Sequence, residues 1–368
     1  MLDRLPPELL HQVLDSLSPA PLDRRKRDDD LCRCCLVSQV VRSSAQALVW
    51  CDLQPWRDQV PLLLEAAHRN PTLAASVRTL TFDRDCGKLV DLLSPFKYLE
   101  VVRKVADEWR GSRLMTAEWL SLCSLSALHT LTLAQVEIRL PPASLVFPSL
   151  ETLTLAAFSA QPHALNHLLR ASSLPKLRVL SLDKPHDGFA YFFPDLDAAL
   201  LSALEVLQLP LNDCSDLPPA LQGGKTPLLV TVSSYTQWMY GEFSEPISSQ
   251  IQHLCLTSTE IARHKFSNDS LLNERRSSLE KACAAAAFWA NRSTSSPPLS
   301  LWLSPHLADA LGPANEALAD LLAACQSNGV VVGWLRRRGD GLEDEAYGAV
   351  VDEGVRGYFR ALKKRESG

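Results

Sequence analysis

Residues able to do chemistry are present in this chain, but their spacing is wrong for it. Cys32-x-Cys34-Cys35 places three thiols within four positions. A structural zinc site takes four ligands, commonly from paired C-x2-C units. No second ligand unit stands with them, so these cysteines read as small core residues. His163 and His167 stand four apart, which puts both imidazoles on one face of a helix. The glutamate and third ligand of an H-E-x-x-H metal site are missing, and solvent-exposed histidines are the better reading. Gly223-Gly224-Lys225-Thr226 matches the end of a phosphate-binding loop, but Pro219 stands where the upstream glycine belongs. A loop between elements is the simpler account. No G-x-S-x-G nucleophile elbow and no G-x-G-x-x-G fingerprint occurs. Arg336-Arg337-Arg338 and Lys363-Lys364-Arg365 offer cations to phosphate, yet read as charged solubilising ends. The sequence therefore assigns no catalytic residue, no metal site and no cofactor.

Composition narrows the remaining classes. The chain has 368 residues, enough for two or more domains or for one long repeat array. Apolar residues make up 46 %, which supports a large core. The net charge of −5, from 37 basic and 42 acidic residues, gives no general reason to expect nucleic acid or an anionic membrane as partner. No apolar run approaches the ~20 residues that span a bilayer. Met1 to Pro7 lacks the apolar stretch of a signal peptide. The expected location is the cytosol or nucleus, where cysteines stay reduced. Cys255, Cys283 and Cys325 lie in apolar segments and read as core thiols. On that reading, the sequons at Asn268 and Asn291 mean little.

The first fifty residues have the pattern of short helices. Pro6-Pro7 suits a helix start, and Glu8 complements the dipole of the first turn. Leu9, Leu10, Val13, Leu14 and Leu17 then make one broad apolar face. A second block runs through Leu31, Cys34, Cys35, Leu36 and Val37. Ser38 is placed to cap a further helix in which Val41, Ala45 and Leu48 share a face. Three helices of this size bury too little to be very stable alone, so an apolar stripe left exposed on them is expected to meet a partner or the neighbouring domain.

Leu5-Pro6-x-Glu8-Leu9-Leu10-x-x-Val13-Leu14-x-x-Leu17, then Leu31…Leu36-Val37-Ser38, then Ala45…Leu48-x-Trp50, resembles the F-box. The resemblance covers about one-seventh of the chain. It implies docking on the adaptor subunit of an SCF ubiquitin ligase, and through it on the cullin. The contacts carried over are Leu5, Pro6, Leu9, Leu10, Leu14, Val37 and Trp50. Which of them face the adaptor and which the module's own core stays open at this point. The chain departs from the family in the stretch from Ser18 to Asp30. It is longer than the usual turn and carries Arg24-Arg25-Lys26-Arg27 followed by Asp28-Asp29-Asp30. The basic run matches a nuclear signal, but a self-neutralising solvated loop is preferred.

The remainder repeats one pattern, an apolar residue at the first, fourth and sixth positions. It occurs from Val77, Leu128, Leu150, Leu177 and Leu204, and again from Ile251. Residues 128, 150, 177 and 204 are separated by 22, 27 and 27 positions. Further strands fit near Leu99 to Val105 and at Leu229 to Ser233. Alternate residues such as Leu153 and Leu155 point to one side of a strand, with Thr and Ser on the other. Parallel strands need crossovers, and helical patterns fill them at Thr116 to Leu125, Pro162 to Ala171 and Asp195 to Leu204. These units resemble leucine-rich repeats, whose period is roughly 20–29 residues. The usual asparagine at the ninth position occurs only as Asn212; Asp85, Val136, Phe158, Pro185 and Thr259 stand at the others, which implies an irregular array. A general layered α/β domain with a parallel sheet is the competing architecture.

Beyond Thr259 the pattern loosens. A helix is expected from Ser270 to Asn291. A strand-helix-strand unit should follow through Leu299 to Leu303, Pro313 to Cys325 closed by Gly329, and Val330 to Leu335. Val355, Tyr358, Phe359 and Leu362 have helical spacing, and that helix is expected to cap the open end of the array.

The fold class expected is α/β: a three-helix F-box over 1–53, then an irregular leucine-rich-repeat solenoid over 54–335 with parallel strands and outer helices, less regular after about 260, then a charged capping helix and tail over 336–368. The resemblance implies a non-catalytic substrate receptor of an SCF-type E3 ubiquitin ligase. The target protein would bind the exposed strand face or loops at the strand ends, and Thr130, Thr132, Thr152, Thr154, Arg178, Ser181, Glu205 and Gln208 are the candidates on the strands. Two alternatives stand beside it. One is an F-box scaffold or ligand-binding protein acting outside ubiquitin ligation. The more remote one is an enzyme with an unrecognised site.

Overall fold

A computed structural model describes residues 6–16, 30–55, 59–83, 89–105, 112–114, 116–139, 141–156, 158–160, 164–183, 197–210, 228–233, 252–257, 269–292, 299–304, 307, 311–312, 314–335 and 353–366. The architecture is mixed α/β with parallel sheets.

Fourteen strands are described: β1 Asp52–Leu53, β2 Thr79–Asp83, β3 Val101–Val105, β4 Ser112–Leu114, β5 Thr130–Ala134, β6 Val136–Ile138, β7 Thr152–Ala156, β8 Ser159–Ala160, β9 Val179–Asp183, β10 Val206–Pro210, β11 Leu228–Ser233, β12 His253–Thr257, β13 Ser300–Leu303 and β14 Val331–Trp334. Eleven of them make one sheet in the order β1-β2-β3-β5-β7-β9-β10-β11-β12-β13-β14, and every pairing is parallel.

Side-chain alternation explains the register. Leu80, Val102, Leu131, Leu153, Leu180 and Leu207 are mutual partners across six strands, and all are buried in the main core. The first apolar residue of each unit (Val77, Leu128, Leu150, Leu177, Leu204) is buried just upstream of its strand. Each strand thus sits two residues later than the start of its sequence pattern. Helices cover the core side: Thr116–Cys123 buries Trp119 and Leu122, Ala164–Leu168 buries Leu165 and Leu168, and Ala198–Ala203 buries Leu200 and Leu201. Asp197 caps the last of these. Its Oδ1 accepts from the Ala199 N–H, and its Oδ2 accepts from the Ala171 N–H of the preceding unit at 2.8 Å. Such a cap contributes about 1 kcal/mol.

A second, three-stranded parallel sheet, β4-β6-β8, was not expected. It forms where the asparagine positions carry Val136 and Phe158, both buried. Gln135, at φ 52°, turns the chain between β5 and β6, and its N–H donates to the Ala156 carbonyl. Apolar packing and a short ladder thus serve the turn that asparagine side chains would otherwise satisfy.

Past β12, the Asp269–Arg292 helix buries Leu279, Ala282, Cys283, Ala286, Trp289 and Ala290 in the main core. It packs along the Glu316–Ser327 helix. Asn315 caps the latter through the Leu318 N–H and donates to Glu280 Oε1 at 2.8 Å. Gly329, at φ +66°, ends it in the left-handed conformation that suits glycine.

At the other end, the Pro7–Ser16 and Gln39–Cys51 helices pack together. With a helical turn over 30–34 they enclose a separate small core of Leu10, Leu14, Leu31, Val41, Ala45 and Leu48. Ser38 caps the second helix, accepting from the Val41 N–H at 3.2 Å.

Two expectations are corrected. The C-terminal helix, Glu353–Glu366, does not simply cover the open edge beyond β14. Val355 and Phe359 instead form a cluster with Val206, Cys255, Trp302 and Leu335, on the sheet face opposite the main core. Nor is that face an open polar surface. Thr81, Thr132, Thr154, Ser181 and Gln208 share one register row and are all buried. Strands only ~4.8 Å apart screen short side chains between their neighbours. Ser181 Oγ and Gln208 Oε1 also pair at 3.2 Å, which holds both against the sheet.

Candidate interaction surfaces

The N-terminal helices divide their apolar residues between core and surface. Leu10 and Leu14 are one turn apart and buried, whereas Leu9, rotated by one residue, is 48 % exposed. Leu36 and Val37, in the turn before Ser38, are 81 % and 65 % exposed, and Val40 is 43 % exposed. Of the sequence-derived contacts, Pro6, Leu9 and Val37 are therefore accessible. Leu10 and Leu14 face their own core instead, because an i, i+4 pair lies on the inward stripe. Trp50 is half-buried against the main core and joins the helices to the sheet. Leu5 lies outside the described residues. Leu36 and Val40 escaped the site assignment; Ser38 as helix cap signals a turn there, which projects its neighbours outward.

Along the sheet, the residues just before β2, β3, β5, β7, β9 and β10 form an ionisable row: Arg78, Glu100, His129, Glu151, Arg178 and Glu205. Their backbones continue the ladder, each N–H from Glu100 onward donating to the carbonyl of the preceding member. Arg78 Nε lies 3.3 Å from Glu100 Oε1, and His129 Nε2 lies 3.7 Å from Glu100 Oε2. Arg178 Nη1 donates to Glu205 Oε1 at 3.0 Å.

Glu205 is the focus of this row, with its side chain only 12 % exposed. Arg360 Nε donates to its second oxygen at 3.1 Å, and Arg356 Nη2 lies 3.7 Å from the same atom. Burial pushes its carboxyl pKa up, but the bonds from Arg360 and Arg178 and the charge of Arg356 outweigh this and hold it below the ordinary range. On β12, His253 Nδ1 is 2.9 Å from Ser300 Oγ, which also accepts from Trp302 Nε1 at 3.2 Å. The Phe359 ring meets the His253 ring edge-on at 4.6 Å, with Tyr358 at 6.0 Å. Burial drives the His253 pKa down to about 4, so the ring is neutral at pH 7. The Tyr358 hydroxyl is buried without a hydrogen bond of normal geometry. Its pKa is raised by burial against a weaker opposing pull from Ser300.

Among the eight residues suggested for target binding, Arg178 is exposed, and Thr130, Thr152 and Glu205 are half-buried. The structure brings Arg178 and Glu205 together with the C-terminal helix, and it buries Thr132, Thr154, Ser181 and Gln208.

Three thiols are buried too deeply to ionise readily. Burial raises the thiol pKa of Cys123 and Cys325 to about 11 and of Cys283 to about 12, so all three are protonated at neutral pH. Cys34 and Cys35 pack against the small N-terminal core. Among the described residues, no three His, Cys, Asp or Glu side chains are grouped to hold a metal. His163 and Gly223 to Thr226 lie outside those residues. No helix among them is long and apolar enough to cross a membrane.

Comparisons with protein-family models, with curated proteins and with solved structures found no match.

Proposed function

We propose that the chain is the substrate-recognition subunit of an SCF-type ubiquitin ligase, with an F-box near residues 1–53 and a degenerate leucine-rich-repeat solenoid near 54–335. The observation that carries this reading is the set of exposed apolar side chains, Leu9, Leu36, Val37 and Val40, on a small helical unit whose own core is already filled. Exposed aliphatic side chains of this kind can serve as anchors, and a few such groups, once buried, can carry most of an interface's affinity. The Leu-Pro start, the Leu9-Leu10 pair and Leu36-Val37-Ser38 add the motif resemblance.

On this reading the in-order parallel sheet is the solenoid, and each unit shares its core with the next. The chain performs no bond chemistry. It accelerates ubiquitin transfer by holding a target near the catalytic partner. Affinity capture of the tagged full chain from cells tests the reading. Adaptor and cullin should both be recovered, in proportion to the bait. Recovery of neither with a folded bait would remove the proposal.

A further inference from the structure

The C-terminal helix occupies a surface of distinctive chemistry. An acid clamped between cations, Glu205, stands at one side, and an aromatic and aliphatic floor of Val206, His253, Cys255 and Trp302 lies beside it. Val355, Phe359 and Leu362 fall at i, i+4 and i+7 and make the apolar face of the helix, while Arg356 and Arg360 reach Glu205. This cluster is separate from the main core. The helix is also poor at forming alone. It has 14 residues and includes Gly354 and Gly357. Isolated helices this short are marginal in water, and the interior Gly357 weakens this one further. Its helicity therefore depends on docking.

We infer that this face of the sheet is a helix-binding site whose resident ligand is the chain's own 353–366 segment. Its partner in trans is a protein helix with two arginines four apart beside an apolar and aromatic stripe. Segment and partner compete for Glu205 and the Trp302 floor. Occupancy in cis lowers the apparent affinity for the partner by the fraction of time the site is open. The inference rests on the contacts of the helix and does not depend on adaptor binding.

The test uses the full chain and a fluorescein-labelled peptide of residues 353–366 as probe. Gly357→Ala is accommodated, because no atom lies within 4 Å of the added methyl. By strengthening the resident helix it should weaken probe binding about three- to fivefold, the equivalent of a glycine-to-alanine change. Val355→Glu with Phe359→Glu should release the helix and tighten probe binding by about tenfold or more. Adding Glu205→Lys to that variant should abolish the gain. A folded release variant that binds the probe no better than wild type would overturn the inference, as would equal binding of a scrambled peptide. If the release variant does not fold, hydrogen exchange on the wild type decides. Amides of 353–366 should exchange about a hundredfold faster than those of β10 and β12, and exchange together with those strands would overturn the inference.

Discussion

Arg360 donates from Nε to Oε2 of Glu205 at 3.1 Å across 155 positions of chain, and the other carboxylate oxygen is already held by Arg178. One carboxylate thus joins the ionisable row at the strand starts to the C-terminal helix. Losing it would leave Arg356, only 16 % exposed, beside the site without this counter-charge.

Glu205→Ala should therefore loosen the helix selectively. The expected cost is about 1–3 kcal/mol, less than for a fully buried pair because Arg178 and Arg360 remain open to water. Hydrogen exchange should show faster exchange in 353–366 with little change in β5 or β7. The wild-type contribution is pH-dependent. The folded pKa lies below the ordinary 4.5, so the stabilisation is present above that value and is lost as pH falls through the lower folded pKa. Unchanged exchange in the helix would contradict the link.

His253 gives a second, separate acid sensitivity. Its pKa falls from 6.5 to about 4 on folding, so the unfolded chain takes up the proton first. Stability is full above pH 6.5 and declines between 6.5 and about 4 as the unfolded state is favoured, by up to about 3 kcal/mol. Urea midpoints measured across this window should fall for the wild type. His253→Gln should flatten that part of the curve, and an identical slope in the variant would show that another group is responsible.

Gly333 is required by its neighbour. A methyl at this position would overlap the ring of Trp302, its register partner on β13. Gly333→Ala should cost about 1–3 kcal/mol by overpacking and displace the indole from Ser300. A changed near-ultraviolet dichroism signal and a lower urea midpoint would report it.

Leu14 and Leu9 should separate folding from binding. Leu14 is fully buried in the small N-terminal core, so Leu14→Ala should cost about 2–5 kcal/mol there. Leu9→Ala, at a surface position, should stay within about 0.5 kcal/mol of wild type. Thermal unfolding followed by a probe in the first fifty residues distinguishes them.

Much of the sheet was legible because its signal is local. The pattern through Leu150, Leu153 and Leu155 fixes which residues face the core, and neighbouring units repeat it in register. The Ser38 cap and the Val41, Ala45, Leu48 stripe were legible for the same reason. What stayed hidden depends on distant partners. Nothing near Glu205 in the chain announces Arg356 and Arg360, and nothing in the spacing of Val355 and Phe359 says which surface they meet. The second sheet escaped because Val136 and Phe158 looked like missing asparagines when they are buried packing residues. The inward turn of Leu10 and the outward turn of Leu9 could not be told apart within one continuous apolar run.

On the proposed reading, exposed aliphatic side chains of the first fifty residues grip the SCF adaptor. Calorimetric titration of the purified adaptor into the full chain tests it most directly, alongside a variant combining Leu9→Arg with Val37→Arg, two exposed positions whose change should leave the fold intact. The wild type should form a one-to-one complex, and the folded variant should bind at least about a hundredfold more weakly, as expected when interface anchors are lost. No binding by folded wild type, or equal binding by both proteins, would contradict it.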